Sequence, residues 1–92
     1  MTNMSSVNPI EKILDLDGDI KNPIIESIKF AFYEETTESK IAESIRKKLE
    51  EKEEGKWNVI IGKDFGTHVV HKSRRYAFFQ VGEMNILIWQ SG

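Results

Sequence analysis

The spacing of the apolar residues changes at Gly55. Before that position, Ile41, Ile45 and Leu49 recur every four residues, the spacing of one face of a helix. After it, short runs rich in β-branched and aromatic residues are typical of strands. Helices followed by strands predict an α+β fold with two helices packed on an antiparallel β-sheet.

Two helices are predicted before Gly55. Asn22 is expected to cap the first, with Pro23 in the first helical position. Thr36 or Thr37 is expected to cap the second, and Gly55 to stop it. The predicted core-facing residues are Ile24, Ile28, Ala31 and Phe32 in the first helix and Ile41, Ala42, Ile45 and Leu49 in the second.

A short strand is predicted at residues 10–16, and four more at residues 57–61, 68–71, 76–81 and 85–89. Gly82-Glu83 is the expected turn of a hairpin. The 92 residues have room for a single domain, predicted at 10–92 after a flexible segment at 1–9. So small a domain is only marginally stable unless further contacts add to its core, and oligomerisation would supply them.

Composition excludes several kinds of site. The chain has no cysteine, so disulfides, thiolate metal sites and thiol nucleophiles are ruled out. Thirteen basic and fifteen acidic residues give a net charge of −2, without the positive excess that favours binding to nucleic acid. We expect neither a secretory signal nor a membrane span, and no membrane partner.

Two motif matches in the sequence are incomplete. A calcium-loop spacing fails because Ile20 stands where glycine is needed, although carboxylates occupy four ligand positions, Asp15, Asp17, Asp19 and Glu26. Asp64-Phe65-Gly66 matches the magnesium-binding tripeptide of protein kinases, but the other kinase motifs are missing. Neither match predicts a metal site.

The two histidines do not predict a site either. His68 and His71, three residues apart on a strand, would point to opposite faces and could not share a metal. Thr67 beside His68 would likewise face away from it, which argues against a hydrolase. We therefore expect no cofactor, no metal and no catalytic residue.

A small nucleic-acid-binding module is the alternative function. It depends on a basic patch beside an aromatic residue, formed by Lys72, Arg74, Arg75 and Tyr76. Because this segment lies in a predicted strand connection, where charge is common, we expect no nucleic-acid partner. A steep dependence of oligonucleotide affinity on salt would favour this alternative.

Short apolar strands in a small domain leave unpaired backbone groups at the sheet margin. A partner protomer or a captured peptide strand would cover such an edge. The other possibility is a monomer whose edge is blunted. The residues alone leave these possibilities open.

Residues 57–71, WNVIIGKDFGTHVVH, resemble the central motif of the dynein light chain family. Residues 86–92, ILIWQSG, resemble that family's last strand and terminus. Ile41-Ala42 and Ile45-Arg46-Lys47 resemble its second helix. The resemblance extends without gaps from about residue 10 to residue 92.

This resemblance implies a non-catalytic, strand-swapped homodimer in which the strand after Phe65-Gly66 crosses to the other protomer. Two symmetric grooves would bind short linear motifs, often centred on Thr-Gln-Thr, by β-strand addition. The implied partners are the dynein intermediate chain and other proteins with such motifs. The implied location is the cytoplasm and cytoskeleton, in a microtubule-associated dynein complex that is cytoplasmic or axonemal.

Carried over position by position, the resemblance implies two sets of site residues. The peptide-binding set is Lys63, Asp64, Phe65, Gly66, Thr67, His68, Val69, Val70, Tyr76, Phe78, Gln80, Asn85, Leu87 and Ser39. The dimer-interface set is Asn58, Ile60, Thr67, His68, Val70 and Ser91.

Several positions depart from the family pattern. Ser39 replaces a lysine that contacts a ligand glutamine, which puts the preference for glutamine in doubt. Asn58 replaces a histidine whose protonation splits family dimers at mildly acidic pH. Tyrosine or threonine is more usual at His68, Val70, Phe78 and Gln80. We expect an altered set of ligands.

Overall fold

A computed structural model describes residues 7–16, 18–63 and 76–91 of the chain. The elements are β1 (Ile10–Asp15), α1 (Lys21–Glu34), α2 (Glu38–Lys52), β2 (Lys56–Gly62), β3 (Tyr76–Val81) and β4 (Met84–Ser91). The four strands form one antiparallel sheet in the order β1-β3-β4-β2. The predicted α+β fold is confirmed, while the predicted strand at residues 68–71 lies outside the described residues.

The start of α1 differs from the prediction. The helix begins at Lys21, and its capping position is Ile20, which has helical dihedral angles and makes no side-chain cap. Ile20 is buried in the core, and its carbonyl accepts the first helical hydrogen bond from Ile24 N–H at 3.0 Å. The prediction of Asn22 as the cap was therefore wrong, because burial of Ile20 extends the helix backward. Pro23 is therefore the third helical residue and not the first, as predicted, but it still lies in the first turn, where no backbone N–H is needed.

The start of α2 follows the sequence signal. The Thr37 hydroxyl accepts a hydrogen bond from Lys40 N–H at 3.4 Å, which confirms one of the two predicted caps. At the other end, Glu53 N–H donates to the Leu49 carbonyl at 2.7 Å. The helix thus ends before Gly55, which lies in the turn leading to β2 with a positive φ of 99°.

Replacing Gly55 by alanine should lower the free energy of unfolding by about 2–3 kcal/mol, from backbone strain at positive φ and one lost hydrogen bond. A Cβ at this position would stand 2.5 Å from Gln90 Nε2, whose amide donates to the Glu54 carbonyl. Urea unfolding measures the loss. Gly18→Ala is the matched control, because Gly18 has φ +77° but a Cβ added there would meet no described atom within 4 Å. Equal losses in the two variants would contradict the contribution of Gln90.

Both helices pack on one face of the sheet. Six of the eight predicted core-facing helical residues are buried in the core, Phe32 packs against it partly buried, and Ala42 is partly buried and lies outside it. Ile24, Ile28, Ile45 and Leu49 are fully buried. Each such side chain contributes roughly 1.5–3 kcal/mol when removed from water. The sheet residues in the same core are Trp57, Ala77, Phe79, Ile86 and Ile88. None of the described helices is long and apolar enough to cross a membrane.

A two-residue turn joins β3 to β4. Val81 pairs with Met84 across it, so the predicted turn at Gly82-Glu83 is confirmed. Gly82 has a φ of 58°, whereas Glu83 does not have a positive φ. A positive φ at the first turn position alone fits a type II′ turn, which matches the twist of paired strands. This hairpin places β3 and β4 at the centre of the sheet.

Candidate functional site

An apolar row crosses all four strands on the sheet face opposite the helices. Ile13 pairs with Phe78, Phe78 with Leu87, and Leu87 with Ile60. Directly paired residues share a face, and neighbours along a strand alternate between faces. Because Phe79 and Ile88 face the helices, this row faces away from them. We call the surface around this row the helix-free face.

The helix-free face is unusually apolar for a sheet surface without a helical cover. Antiparallel sheets with one solvated face usually alternate apolar and polar residues. Here Leu87 is only 2% exposed although it lies outside the core formed with the helices, and Ile13 is 36% exposed. Ile13 is exposed and Phe78 and Ile60 are partly buried, so part of the row is accessible on the surface of the protomer. Exposed apolar patches are candidates for interaction sites.

The structure brings together seven of the predicted site residues on this face. Gln80 pairs with Asn85, and Tyr76 pairs with Trp89, which also pairs with Asn58. These pairs flank the apolar row on its two sides. The seven predicted residues on the face are Asn58, Ile60, Tyr76, Phe78, Gln80, Asn85 and Leu87.

A cleft of about 330 Å³ separates the start of α2 from β2. The predicted site residue Ser39 lies here, on the helix, rather than on the helix-free face. The lining residues are Glu38, Ser39, Ala42, Val59, Ile60 and Ile61. Ile60 thus joins the cleft to the apolar row.

Glu50 ties α2 to β2 at the other end of the strand. Its carboxylate accepts a hydrogen bond from Trp57 N–H at 3.1 Å and one from Arg46 at 3.0 Å. Trp57 itself is buried against the helices. These contacts hold β2 alongside α2 and so fix the walls of the cleft.

The two edges of the described sheet differ. The edge strand β1 has a register shift between Glu11 and Ile13, and a bulge of this kind discourages further pairing. The other edge strand, β2, pairs with β4 without interruption from Lys56 to Gly62. β2 is thus an edge strand of the described sheet. Strand addition to such an edge is one way in which proteins recognise extended peptides.

Asn85 has a structural contact that the sequence did not indicate. Its side-chain Nδ2 donates a hydrogen bond to the Lys63 carbonyl at 2.9 Å. Asn85 also pairs with Gly62 in the sheet, so the bond holds the chain where it leaves β2. The exposed Lys63, a predicted peptide contact, is anchored through its backbone.

Several predicted site residues cannot be placed. Asp64, Phe65, Gly66, Thr67, His68, Val69 and Val70 lie outside the described residues. Ser91 is the last residue of β4 and pairs with Lys56. Across the described part of the chain, no three His, Asp or Glu residues form a group that could hold a metal ion.

Comparison with known proteins identifies the family. The family described as dynein light chain type 1 matches residues 8–91. The chain belongs to the dynein light chain family. "Dynein light chain 1, cytoplasmic" of Saccharomyces cerevisiae is 30% identical over 91 residues, which cover 99% of each chain. The protein of the same name from Debaryomyces hansenii is 33% identical over 91% of this chain and 92% of its own length.

A third relative, "Dynein light chain 1, cytoplasmic" of Candida glabrata, is 28% identical over 89% of this chain and 95% of its own length. These matches extend over almost the whole of each protein. The predicted resemblance to the dynein light chain family is therefore confirmed over residues 8–91, which include both helices. Membership supports a dynein-associated light chain role.

Sequence reasoning missed several residues of the site. Trp89 lies two residues after Leu87 on the same strand, so strand alternation could have placed it on the helix-free face. Ala42 lies three residues after Ser39 on α2, a spacing that puts the two side chains on the same helical face. Glu38 is adjacent to Ser39 in sequence, and this position gave no signal for the cleft. Ile13 had no such signal, because the bulge in β1 interrupts the alternation.

Proposed function

We propose that this chain is a non-catalytic homodimeric hub of the dynein complex that binds short linear peptide motifs as added β-strands. The proposed partners are the dynein intermediate chain and other proteins with such motifs. The names of its relatives support a cytoplasmic, dynein-associated location, and the microtubule association of the complex is part of the proposal. The single observation that carries the proposal is the position of β2 at the edge of the described sheet, beside the α2 cleft.

The apolar row supports self-association. A two-fold symmetric dimer uses the same surface on both protomers, so one self-complementary apolar face is sufficient. Phe78, Leu87 and Ile60 form such a face across three adjacent strands. In the proposed dimer, the strand after Phe65-Gly66 crosses to the β2 edge of the other protomer, as in a strand-swapped pair. This pairing would add the core contacts that a 92-residue domain needs.

Because the crossed strand would occupy the β2 edge, the peptide would bind beside that strand and extend the same sheet. Strand addition supplies affinity through main-chain hydrogen bonds and specificity through pockets for alternate side chains. The cleft lined by Ser39, Ala42 and Val59 offers such a pocket. The two grooves of one dimer would hold two copies of a partner side by side. The two partner chains would then associate with each other as if they were parts of one molecule, and this function requires no catalysis.

The test is calorimetric titration of the chain with a dynein intermediate chain peptide carrying Thr-Gln-Thr, with sedimentation of the same sample. The proposal expects a dimer that binds one peptide per protomer. A monomeric chain, or a dimer that binds no extended motif in a peptide library, would refute it. A dimer that ignores Thr-Gln-Thr but binds other extended peptides would match the altered specificity expected from Ser39.

Residue 58 should not cause the proposed dimer to dissociate at mildly acidic pH. Asparagine does not titrate between pH 7 and pH 5, whereas histidine does. Asn58 pairs with Trp89 on the helix-free face, so a charge acquired there would be placed in the proposed interface. Any loss of dimer between pH 7 and pH 5 should therefore be smaller for this chain than for a variant with histidine at position 58. An Asn58→His variant should lose dimer at pH 5, and the opposite pattern would contradict this assignment.

A further inference from the structure

Side-chain amides of β4 tie both ends of β2. Asn85 Nδ2 donates a hydrogen bond to the Lys63 carbonyl at 2.9 Å, one residue beyond the end of β2 at Gly62. At the other end, Gln90 Nε2 donates to the Glu54 carbonyl, two residues before β2 begins. Backbone pairing between β2 and β4 extends over the residues between these two bonds. Each amide therefore continues the contact between the two strands beyond the backbone ladder.

The two ends differ in how the chain continues. Residues 53–55 join α2 to β2, and Glu50 also accepts from Trp57 N–H at 3.1 Å, so neighbouring elements fix the course of the chain into β2. Residues 63–75 connect β2 to β3, and β4 lies between those two strands in the sheet. Beyond Gly62 the chain can continue along the line of β2, or it can turn back along the outer edge of β2. Asn85 lies where these two courses separate.

The bond from Asn85 fixes the orientation of the Lys63 peptide group. The Lys63 carbonyl faces β4, and Gly62, the residue paired with Asn85, has no side chain that would stand between the amide and this carbonyl. Asn85 also pairs with Gln80, so its side chain lies on the helix-free face. A tight turn at Lys63 would rotate its peptide group out of the plane of the sheet and break the bond. The bond therefore favours the course along the line of β2.

We propose that Asn85 is a positioning residue for self-association. Its amide holds the Lys63 peptide group in line with β2, so that the chain continues toward a second copy of this protein instead of turning back on its own β2 edge. This inference rests on the proposed strand-swapped dimer and names a residue that favours it over the monomer. Exchanged and unexchanged forms make the same strand contacts, so the connecting residues decide the balance between them. The bond occurs twice in each dimer, once in each protomer.

Sedimentation equilibrium tests this role in the full chain and three variants, with circular dichroism to verify that each is folded. Asn85→Ala removes the bond. Asn85→Leu also removes it but keeps a side chain of similar size and adds apolar surface to an apolar face, so a role as an interface contact alone predicts a dimer at least as strong as the original. Gln90→Ala is the matched control, because it removes the same kind of bond at the other end of β2. Gln90 pairs with Trp57 and so lies on the sheet face that packs on the helices.

Asn85→Ala and Asn85→Leu should each raise the dissociation constant of the dimer about tenfold, because two hydrogen bonds are lost per dimer. Gln90→Ala should change it less than about threefold. An unchanged constant in Asn85→Ala, a dimer strengthened by Asn85→Leu, or an equal weakening by Gln90→Ala would overturn the inference and leave the proposed dimer standing. The bond is exposed, so Asn85→Ala should fold, and loss of its fold would also overturn a role confined to association. A chain that is itself monomeric at every concentration would refute both the proposed function and this inference.

Discussion

Replacing Phe79 by alanine should lower the free energy of unfolding by about 3–5 kcal/mol. Phe79 is the largest fully buried side chain of the core and lies on β3 in the centre of the sheet. Its strand neighbours are Glu11 on β1 and Ile86 on β4, so the cavity would open between the sheet and the helices. Small domains have about 5–15 kcal/mol of stability in total, and this loss would leave much of the chain unfolded at moderate temperature.

Urea unfolding followed by circular dichroism measures this loss. Protomer concentration must be fixed, because the stability of a self-associating chain depends on it. Phe79→Leu is the control, since it keeps most of the apolar volume and should cost less than about 1.5 kcal/mol. If Phe79→Ala lowered the free energy of unfolding no more than Phe79→Leu does, the assignment of Phe79 to the closed core would be wrong.

The sequence predicted most of the fold because local signals and packing agree in it. Ile45 and Leu49 have helical spacing and pack in the core, and Gly82 has the positive φ that its hairpin requires. The failure at Asn22 has a physical cause, because the burial of Ile20 outweighed a favourable polar cap. Sequence signals for helix starts describe local hydrogen bonding and take no account of tertiary contacts.

Only part of the candidate site could be predicted from the sequence. The residues of the helix-free face, such as Phe78 and Leu87, were identified by resemblance, and strand alternation gives them a common face. The α2 cleft was not predictable, because it depends on how closely α2 approaches the outer edge of β2, a distance that no local pattern encodes. Asn85 was predicted as a peptide contact, but its bond to the Lys63 carbonyl became visible only in three dimensions.

Replacing Ile60 by lysine should convert the proposed dimer into monomers. Ile60 pairs with Leu87 in the apolar row and also lines the α2 cleft. It is only partly buried within the protomer, so the lysine could reach solvent in a monomer and the fold should persist. In a two-fold interface the substitution occurs twice, and each unpaired ammonium must lose water. The dissociation constant should rise at least about 100-fold, since each factor of ten needs only about 1.4 kcal/mol.

Sedimentation equilibrium at micromolar concentration measures this effect, with circular dichroism to establish that the variant is folded. Tyr33→Lys is the matched control, because Tyr33 is a large side chain on α1, 53% exposed and remote from the helix-free face. It should leave the dimer intact. A folded Ile60→Lys chain that sediments as a dimer would place the interface elsewhere. Dissociation by Ile60→Lys but not by Tyr33→Lys would instead show that self-association depends on β2, the strand that borders the cleft. Dimer formation and groove formation would then depend on the same strand.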